Sequence, residues 1–163
     1  MRLIPIDEQL GRTLESADQF EKTFEVSLGP NTTLVRDVVQ QTLSLLEAVP
    51  RDPCWGGFLA VDEKRSTVIG TCGFKAGPGS ERQVEIAYFT FPPFEGHGCA
   101  TLMARELISM AEGSREAPRV MAHTLPERNA STRVLEKVGM SWIGEFADPE
   151  DGKVWRWVLG PEV

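Results

Sequence analysis

The stretch VEIAYFTFPPFEGHGCAT, residues 84–101, decides the reading of the chain. Val84, Ile86 and Tyr88 alternate with Glu85, Ala87 and Phe89 in a run rich in β-branched and aromatic side chains, the composition of a strand buried on both faces. A carboxylate in such a strand is costly, so Glu85 needs a partner, a wet cavity or a proton. Pro92 and Pro93 cannot donate to a sheet ladder and end the strand. Gly96-His97-Gly98 follows, and then Cys99, Leu102, Met103, Leu107, Met110 and Ala111 recur at helical spacing. The first amides of a helix lack internal partners and carry the positive end of its dipole, so a glycine loop feeding a helix is suited to a phosphate. The same glycines also suit a plain tight turn, and the segment alone leaves both readings open. It is not a P-loop, because no Lys-Ser or Lys-Thr follows the second glycine. Nor is it a dinucleotide fingerprint, which needs a third glycine and an acidic ribose ligand downstream.

At 163 residues, 41% apolar and 25% charged, the chain is long enough for one sizeable core and is expected to be a single domain over residues 1–163. No apolar run reaches the roughly 20 residues of a membrane helix, and the N-terminus, with Pro5, Asp7 and Glu8, does not read as a signal peptide. Cys54, Cys72 and Cys99 are odd in number and lack C-x-x-C spacing, which favours neither a disulfide framework nor a metal site. A cytoplasmic protein without a metal or a membrane partner is the expectation. The net charge of −7 argues against nucleic acid and suits a cationic small partner, although acidity also serves solubility.

Outward from the central stretch, residues 2–6 read as a strand and 8–15 as a helix capped by Asp7. Residues 17–31 read as a long connection, either a binding loop or a poorly ordered helix. Leu34, Val35, Val38, Val39, Thr42, Leu45, Leu46 and Val49 form an amphipathic helix that Pro50 stops, and 51–57 is a loop. Strands at 57–61, 67–75 and 82–90 make an antiparallel meander. A helix over 98–112 crosses to a strand at 119–124, parallel to the third strand of that meander. A helix over 129–138 follows, with Val134, Leu135 and Val138 inward and Gly139 at its left-handed C-cap, and strands at 140–146 and 153–159 close the chain around an acidic turn.

This order, with a glycine loop after the fourth strand and E-R-N-A-S-T-R-V-L-E-K-V-G-M at the last helix, resembles the GNAT superfamily of acyl-CoA-dependent N-acyltransferases over essentially the whole chain. The motifs V-E-I-A-Y-F-T, G-H-G-C-A-T and N-A-S-T-R-V-L-E-K-V-G resemble the branch holding the ribosomal-protein-alanine acetyltransferases. The resemblance implies an α/β (α+β) fold with a mixed, mostly antiparallel sheet of six to seven strands, a splayed fourth and fifth strand and about four helices. It implies acetyl-CoA as acyl donor, its pantetheine arm along Tyr88, Phe89 and Thr90 and its pyrophosphate on Glu95, Gly96, His97, Gly98, Cys99, Ala100 and Thr101, with Asn129 and Ser131 nearby. Three departures stand out. Glu95 replaces the usual Gln or Arg, and a carboxylate there tunes binding through repulsion. Leu135 occupies the place where many relatives carry a Tyr acid. Arg128 takes the usual Asn position and moves Asn129 one residue on, about 100° around a helix.

The implied reaction is direct attack by a primary amine, of a small molecule or a protein N-terminus, on the thioester in a ternary complex. Glu85 is the candidate base; alternatively it pairs with Arg82 or Arg119. An acyl-enzyme through Cys99 with His97 or His123 is a further route. Trp142, Trp155 and Trp157 read as core or edge packing, or as acceptor contacts. A non-catalytic acyl-CoA sensor is the rival class, and the chain is expected as a monomer or homodimer.

Overall fold

Seven strands lie in one sheet in the order β1-β2-β3-β4-β5-β7-β6, antiparallel at every pairing except β4 with β5. The strands are β1 (Arg2–Pro5), β2 (Gly57–Asp62), β3 (Thr67–Phe74), β4 (Gln83–Thr90), β5 (Arg119–Thr124), β6 (Ser141–Asp148) and β7 (Gly152–Leu159). The helices are α1 (Glu8–Thr13), α2 (Ala17–Phe24), α3 (Thr32–Ala48), α4 (Cys99–Gly113) and α5 (Ala130–Lys137). The structure, a computed structural model, describes residues 1–49, 52–117 and 119–159. Pro50, read as the stop of the third helix, and Arg51 of the following loop lie outside the described residues.

Local chemistry explains most boundaries. Asp7 caps α1, accepting the Leu10 amide at 2.8 Å. Val35 and Val39, one turn apart on α3, are both buried. Pro5 ends β1, and Pro92 opens a short 3₁₀ turn, Pro92–Phe94, that ends the run of β4. The α5 helix stops at Gly139 (φ 87°), after which the Met140 amide returns to the Leu135 carbonyl at 3.0 Å and the Met140 side chain is buried.

One open alternative is decided and one expectation is corrected. Residues 17–31 hold a regular helix, α2, so five α-helices are present among the described residues where the family pattern suggested about four. Phe20 is fully buried and stacks on Phe24 one turn later at 4.9 Å between ring centroids, and Glu25 ends the helix at φ 56°. With only two large apolar side chains on its inner stripe, the segment gave a faint periodicity before Gly29 and Pro30 broke it. Second, β4 is not buried on both faces. Val84 and Ile86 are buried on the side where α4 packs across β3, β4 and β5, whereas Ala87 and Phe89, on the other side, are exposed.

Candidate active site

The sheet opens in its middle. β4 pairs with β5 only through Gln83↔Arg119, Val84↔Val120 and Glu85↔Met121, yet on its other side it stays paired with β3 as far as Gly70↔Thr90. The strands therefore part directly after Glu85, and among the described residues the β4 backbone from Ile86 to Thr90 has no β5 partner. Backbone donors and acceptors along such an edge are a template for an extended, amide-bearing ligand. Phe89 lies on this stretch, 45% exposed. Thr90 has its Oγ1 buried without a hydrogen-bond partner among the described residues. Tyr88 faces the α5 side, its hydroxyl within 3.5 Å of the Ser131 carbonyl, and burial pushes its phenol well above the ordinary range.

At the C-terminal end of β4 the chain turns into the glycine loop. Gly96 and Gly98 sit at φ 75° and 79°, the left-handed region that side chains resist. A Cβ on either would meet nothing within 4 Å, so it is conformation, and open space ahead of the loop, that marks these glycines. The first bond of α4 runs from the Leu102 amide to the Gly98 carbonyl at 3.1 Å, and the amides of residues 96–101 have no backbone acceptor among the described residues. The 15-residue helix behind them adds its dipole. His97 folds back, its Nδ1 2.7 Å from the Glu95 carbonyl, and the Glu95 side chain is exposed. Cys99 is half-buried, and burial, helped by Asp62, pushes its thiol up. The covalent pair is not assembled: His97 is engaged with its own loop, His123 with Glu85 and Arg156, and no hydrogen bond links Cys99 to either among the described residues.

Glu85 stands where the strands part, its side chain 13% exposed. The expected partners Arg82 and Arg119 do not hold it. Arg82 precedes the strand at φ 53° and donates to the Arg115 carbonyl, and Arg119 lies level with Gln83, two residues back. Instead Oε1 of Glu85 lies 2.7 Å from Lys75 Nζ and 3.1 Å from His123 Nδ1. Lys75 also reaches Asp151, in the β6–β7 turn, at 3.5 Å. Burial by itself favours the neutral amine of Lys75, but the hydrogen bonds and charges of Glu85 and Asp151 outweigh it and raise the amine above its usual range. Arg156 Nε donates to His123 Nε2 at 2.9 Å, and its guanidinium lies 4.0 Å from the Phe146 ring centroid.

Lys75, His123 and Arg156 were not singled out as partners of Glu85 by the sequence reading. A signal for one of them was present: the meander sets the end of β3 opposite Glu85, and the Lys75 amide donates to the Glu85 carbonyl at 2.9 Å. His123 and Arg156 face each other across β5 and β7, a register fixed only once the last strand is placed beside β5.

At α5 the Asn129 side chain accepts the Thr132 amide at 3.1 Å while Thr132 Oγ1 accepts the Asn129 amide at 3.0 Å, a reciprocal cap. Asn129 Oδ1 is thus used by its own helix. Leu135 is fully buried. Trp157 is core, donating to Thr124 Oγ1 at 3.1 Å, while Trp142 is half exposed and tilted against Trp155. A hollow of about 620 Å³ between α1 and α3, lined by Gly11, Arg36 and Leu43 among others, contains none of the candidate site residues. Among the described residues no cluster of three His, Cys, Asp or Glu side chains could hold a metal ion, and no helix is long and apolar enough to cross a membrane.

A mixed sheet parted at its one parallel pairing, with a donor-rich glycine loop at the mouth of the gap, defines an acyltransferase type of fold. Residues 11–141 match the family described as acetyltransferase (GNAT) domain, and the chain belongs to that family. It is 27% identical over 145 residues to the uncharacterized N-acetyltransferase p20 of Bacillus licheniformis, a match covering 86% of this chain and 82% of that protein. In fold it is similar to the acetyltransferase of Salmonella typhimurium that modifies the N-terminal serine of ribosomal protein L7/L12 (TM-score 0.66, 15% identity, 98% and 94% of the two chains covered). It is similarly close to a spermidine N-acetyltransferase of Vibrio cholerae (TM-score 0.65, 12% identity, 98% and 94% covered). A CoA complex of a ribosomal L7/L12 α-N-protein acetyltransferase has the same fold, at 16% identity and TM-score 0.66, over 96% of this chain and 92% of that one.

Proposed function

We propose that this protein is an acetyl-CoA-dependent N-acetyltransferase that acetylates a primary amine by direct attack in a ternary complex. The observation that carries the reading is the parting of β4 from β5 directly after Glu85, beside a loop whose amides at 96–101 have no backbone acceptor among the described residues. The residues fit the donor: an open strand edge at Tyr88, Phe89 and Thr90 for the pantetheine arm, and the loop from Glu95 to Thr101 for the pyrophosphate. Ser131, beside Tyr88, lies at the α5 end of the same gap. Asn129 keeps its place near the donor in this reading, with its Oδ1 serving as the cap of α5.

Acetyl-CoA supplies a thioester whose thiolate leaves readily, an ordinary thiol having a pKa of about 8.5, so buried Leu135 in place of an acid is tolerable. Glu85 takes the proton of the incoming ammonium, and an amide of the open β4 edge polarises the acyl oxygen. The acceptor is a small-molecule amine or a protein N-terminus, the classes named for structural neighbours that act on spermidine and on an N-terminal serine. We place the enzyme in the cytoplasm as a monomer or homodimer acting without metal. Leu135 and Glu95 together favour a second reading, an acyl-CoA sensor with little turnover.

The test is a thermal-unfolding titration with acetyl-CoA and CoA, with ATP and NADH as controls, followed by an amine panel assayed with wild type and Glu85→Gln. A ligand at 100 times its Kd adds about 2.7 kcal/mol of stability. Stabilisation by acetyl-CoA and CoA alone, turnover of an amine, and a loss in Glu85→Gln on the order of 10²–10⁴ are expected. Firm binding without turnover selects the sensor, no binding rejects both, and an unchanged pH–rate profile in Glu85→Gln removes the base role.

A further inference from the structure

Glu85 is held through one oxygen. Both Lys75 Nζ and His123 Nδ1 contact Oε1, and Oε2 accepts no hydrogen bond among the described residues. The state of the histidine follows from its other neighbour. A guanidinium has only donors, so Arg156 Nε–H can meet His123 Nε2 at 2.9 Å only if that nitrogen presents its lone pair. The ring is then neutral, its proton sits on Nδ1, and the contact with Glu85 is a hydrogen bond donated by the histidine, not an ion pair. Arg156 is itself fixed over the Phe146 ring and faces His123 across the β5–β7 ladder, so the orientation is set by rigid strands.

We propose that His123, clamped in this tautomer by Arg156, is a positioning residue: it pins Oε1 of Glu85 and so reserves Oε2 for the acceptor's proton. This rests on the reading of Glu85 as base. In the step itself an N–H bond of the acceptor ammonium breaks and an O–H bond to Oε2 forms. The electron pair stays on nitrogen as the nucleophile, while His123 keeps its Nδ1 proton and Arg156 its charge. Loss of the clamp lets the ring present either nitrogen and frees the carboxyl to rotate, and a misplacement of about 1 Å near reacting groups costs up to about 100-fold in rate. The charged and titratable groups that face Glu85 and His123 are Lys75 at the end of β3, Asp148 and Asp151 at the β6–β7 turn, and Arg156 on β7.

Two measurements test this. In protein labelled with ¹⁵N-histidine, the two histidines being separated by comparison with a His123→Phe spectrum, His123 is expected to carry its proton on Nδ1 at neutral pH and to become a tautomer mixture in Arg156→Met. A proton on Nε2, or a doubly protonated ring, in wild type overturns the proposal whether or not an acceptor has been found. In the amine assay, His123→Phe is expected to lower kcat by up to about 100-fold with KM for acetyl-CoA unchanged, and to move the acid limb of the kcat profile. His123→Gln, which retains an N–H donor, should recover most of the rate. Wild-type kcat and acid limb in His123→Phe, or Gln no better than Phe, overturns it; if His123→Phe fails to fold, Arg156→Met, which leaves the ring in place, is read in the same way. Unchanged kcat in Glu85→Gln sinks the base reading instead, while the ring tautomer still reports on the clamp.

Discussion

Replacing Gly98 by alanine separates the conformational role of the glycine loop from its binding role. Gly98 sits at φ 79° with nothing within 4 Å of a built Cβ, so Gly98→Ala clashes with no protein atom and costs only the left-handed penalty, about 1–2 kcal/mol. Gly139 offers a matched control, since it sits at φ 87° with its nearest atom, Leu159 Cδ1, at an ordinary 3.8 Å, and lies at the far end of α5. For a chain of this size each variant should melt about 2–8 °C below wild type. The ligand response should differ. Acetyl-CoA at 100 times the wild-type Kd adds about 2.7 kcal/mol, or about 5–11 °C, to wild type and to Gly139→Ala. In Gly98→Ala the added methyl stands in the space the pyrophosphate needs, and a 100-fold weaker Kd leaves only about 0.4 kcal/mol at the same concentration. A thermal titration of the three proteins in parallel is sufficient. An acetyl-CoA shift in Gly98→Ala equal to that of Gly139→Ala would refute the assignment of the loop as the phosphate cradle.

Leu135→Ala empties a fully buried site beneath α5 and should cost about 2–5 kcal/mol, read as a lower urea midpoint with unchanged slope. The Asp148 carboxyl accepts the amides of Asp151 and Glu150, both at 2.9 Å, which hold its pKa below the ordinary value of 3.8. Its folded state therefore favours the carboxylate, so the stability it adds is present above pH 3.8 and lost as pH falls through the lowered folded value. Asp148→Asn keeps an acceptor but not the charge, and should flatten this part of the acid-side stability profile measured by urea unfolding.

The strand edge and glycine loop proposed for the acyl donor were legible as structure because they are written in one continuous segment. Strand, proline break, glycine loop and helix start follow one another between Val84 and Thr101, and each is set by local rules: alternation, a missing donor, left-handed φ and helical spacing. The Glu85 partners were not legible. Lys75, His123, Arg156 and Asp151 come from the end of β3, from β5, from β7 and from a turn, and they meet only once strand order and register are fixed. Charge type pointed to Arg82 and Arg119, near in sequence or in strand position, and backbone geometry sent both elsewhere. Helix α2 was left open against a loop for a simpler reason: two phenylalanines one turn apart suffice to dock eight residues, too few to raise a periodic signal above the glycine and proline that follow.

The charges around Glu85 also bear on the acceptor. Three carboxylates, Glu85, Asp148 and Asp151, face two cations, Lys75 and Arg156, with a neutral histidine between, so the cluster is close to balance even though the chain carries a net −7. An acceptor that arrives as a persistent ammonium has to share Glu85 with Lys75, whose own ammonium is already favoured there. An α-amino group, with an ordinary pKa of about 7.7–8.0, gives up its proton far more readily than an alkylamine near 10.4, a difference of more than two decades in the neutral fraction at pH 7. Among acceptors of similar size, turnover at fixed pH should therefore rise as amine pKa falls, and the dependence should weaken in Lys75→Met, where the competing ammonium is gone. A panel of α-amino amides and alkylamines ranked by kcat/KM measures it. A preference for the most basic amine, unchanged in Lys75→Met, would mean that the chain's overall acidity governs acceptor choice and the local balance around Glu85 does not.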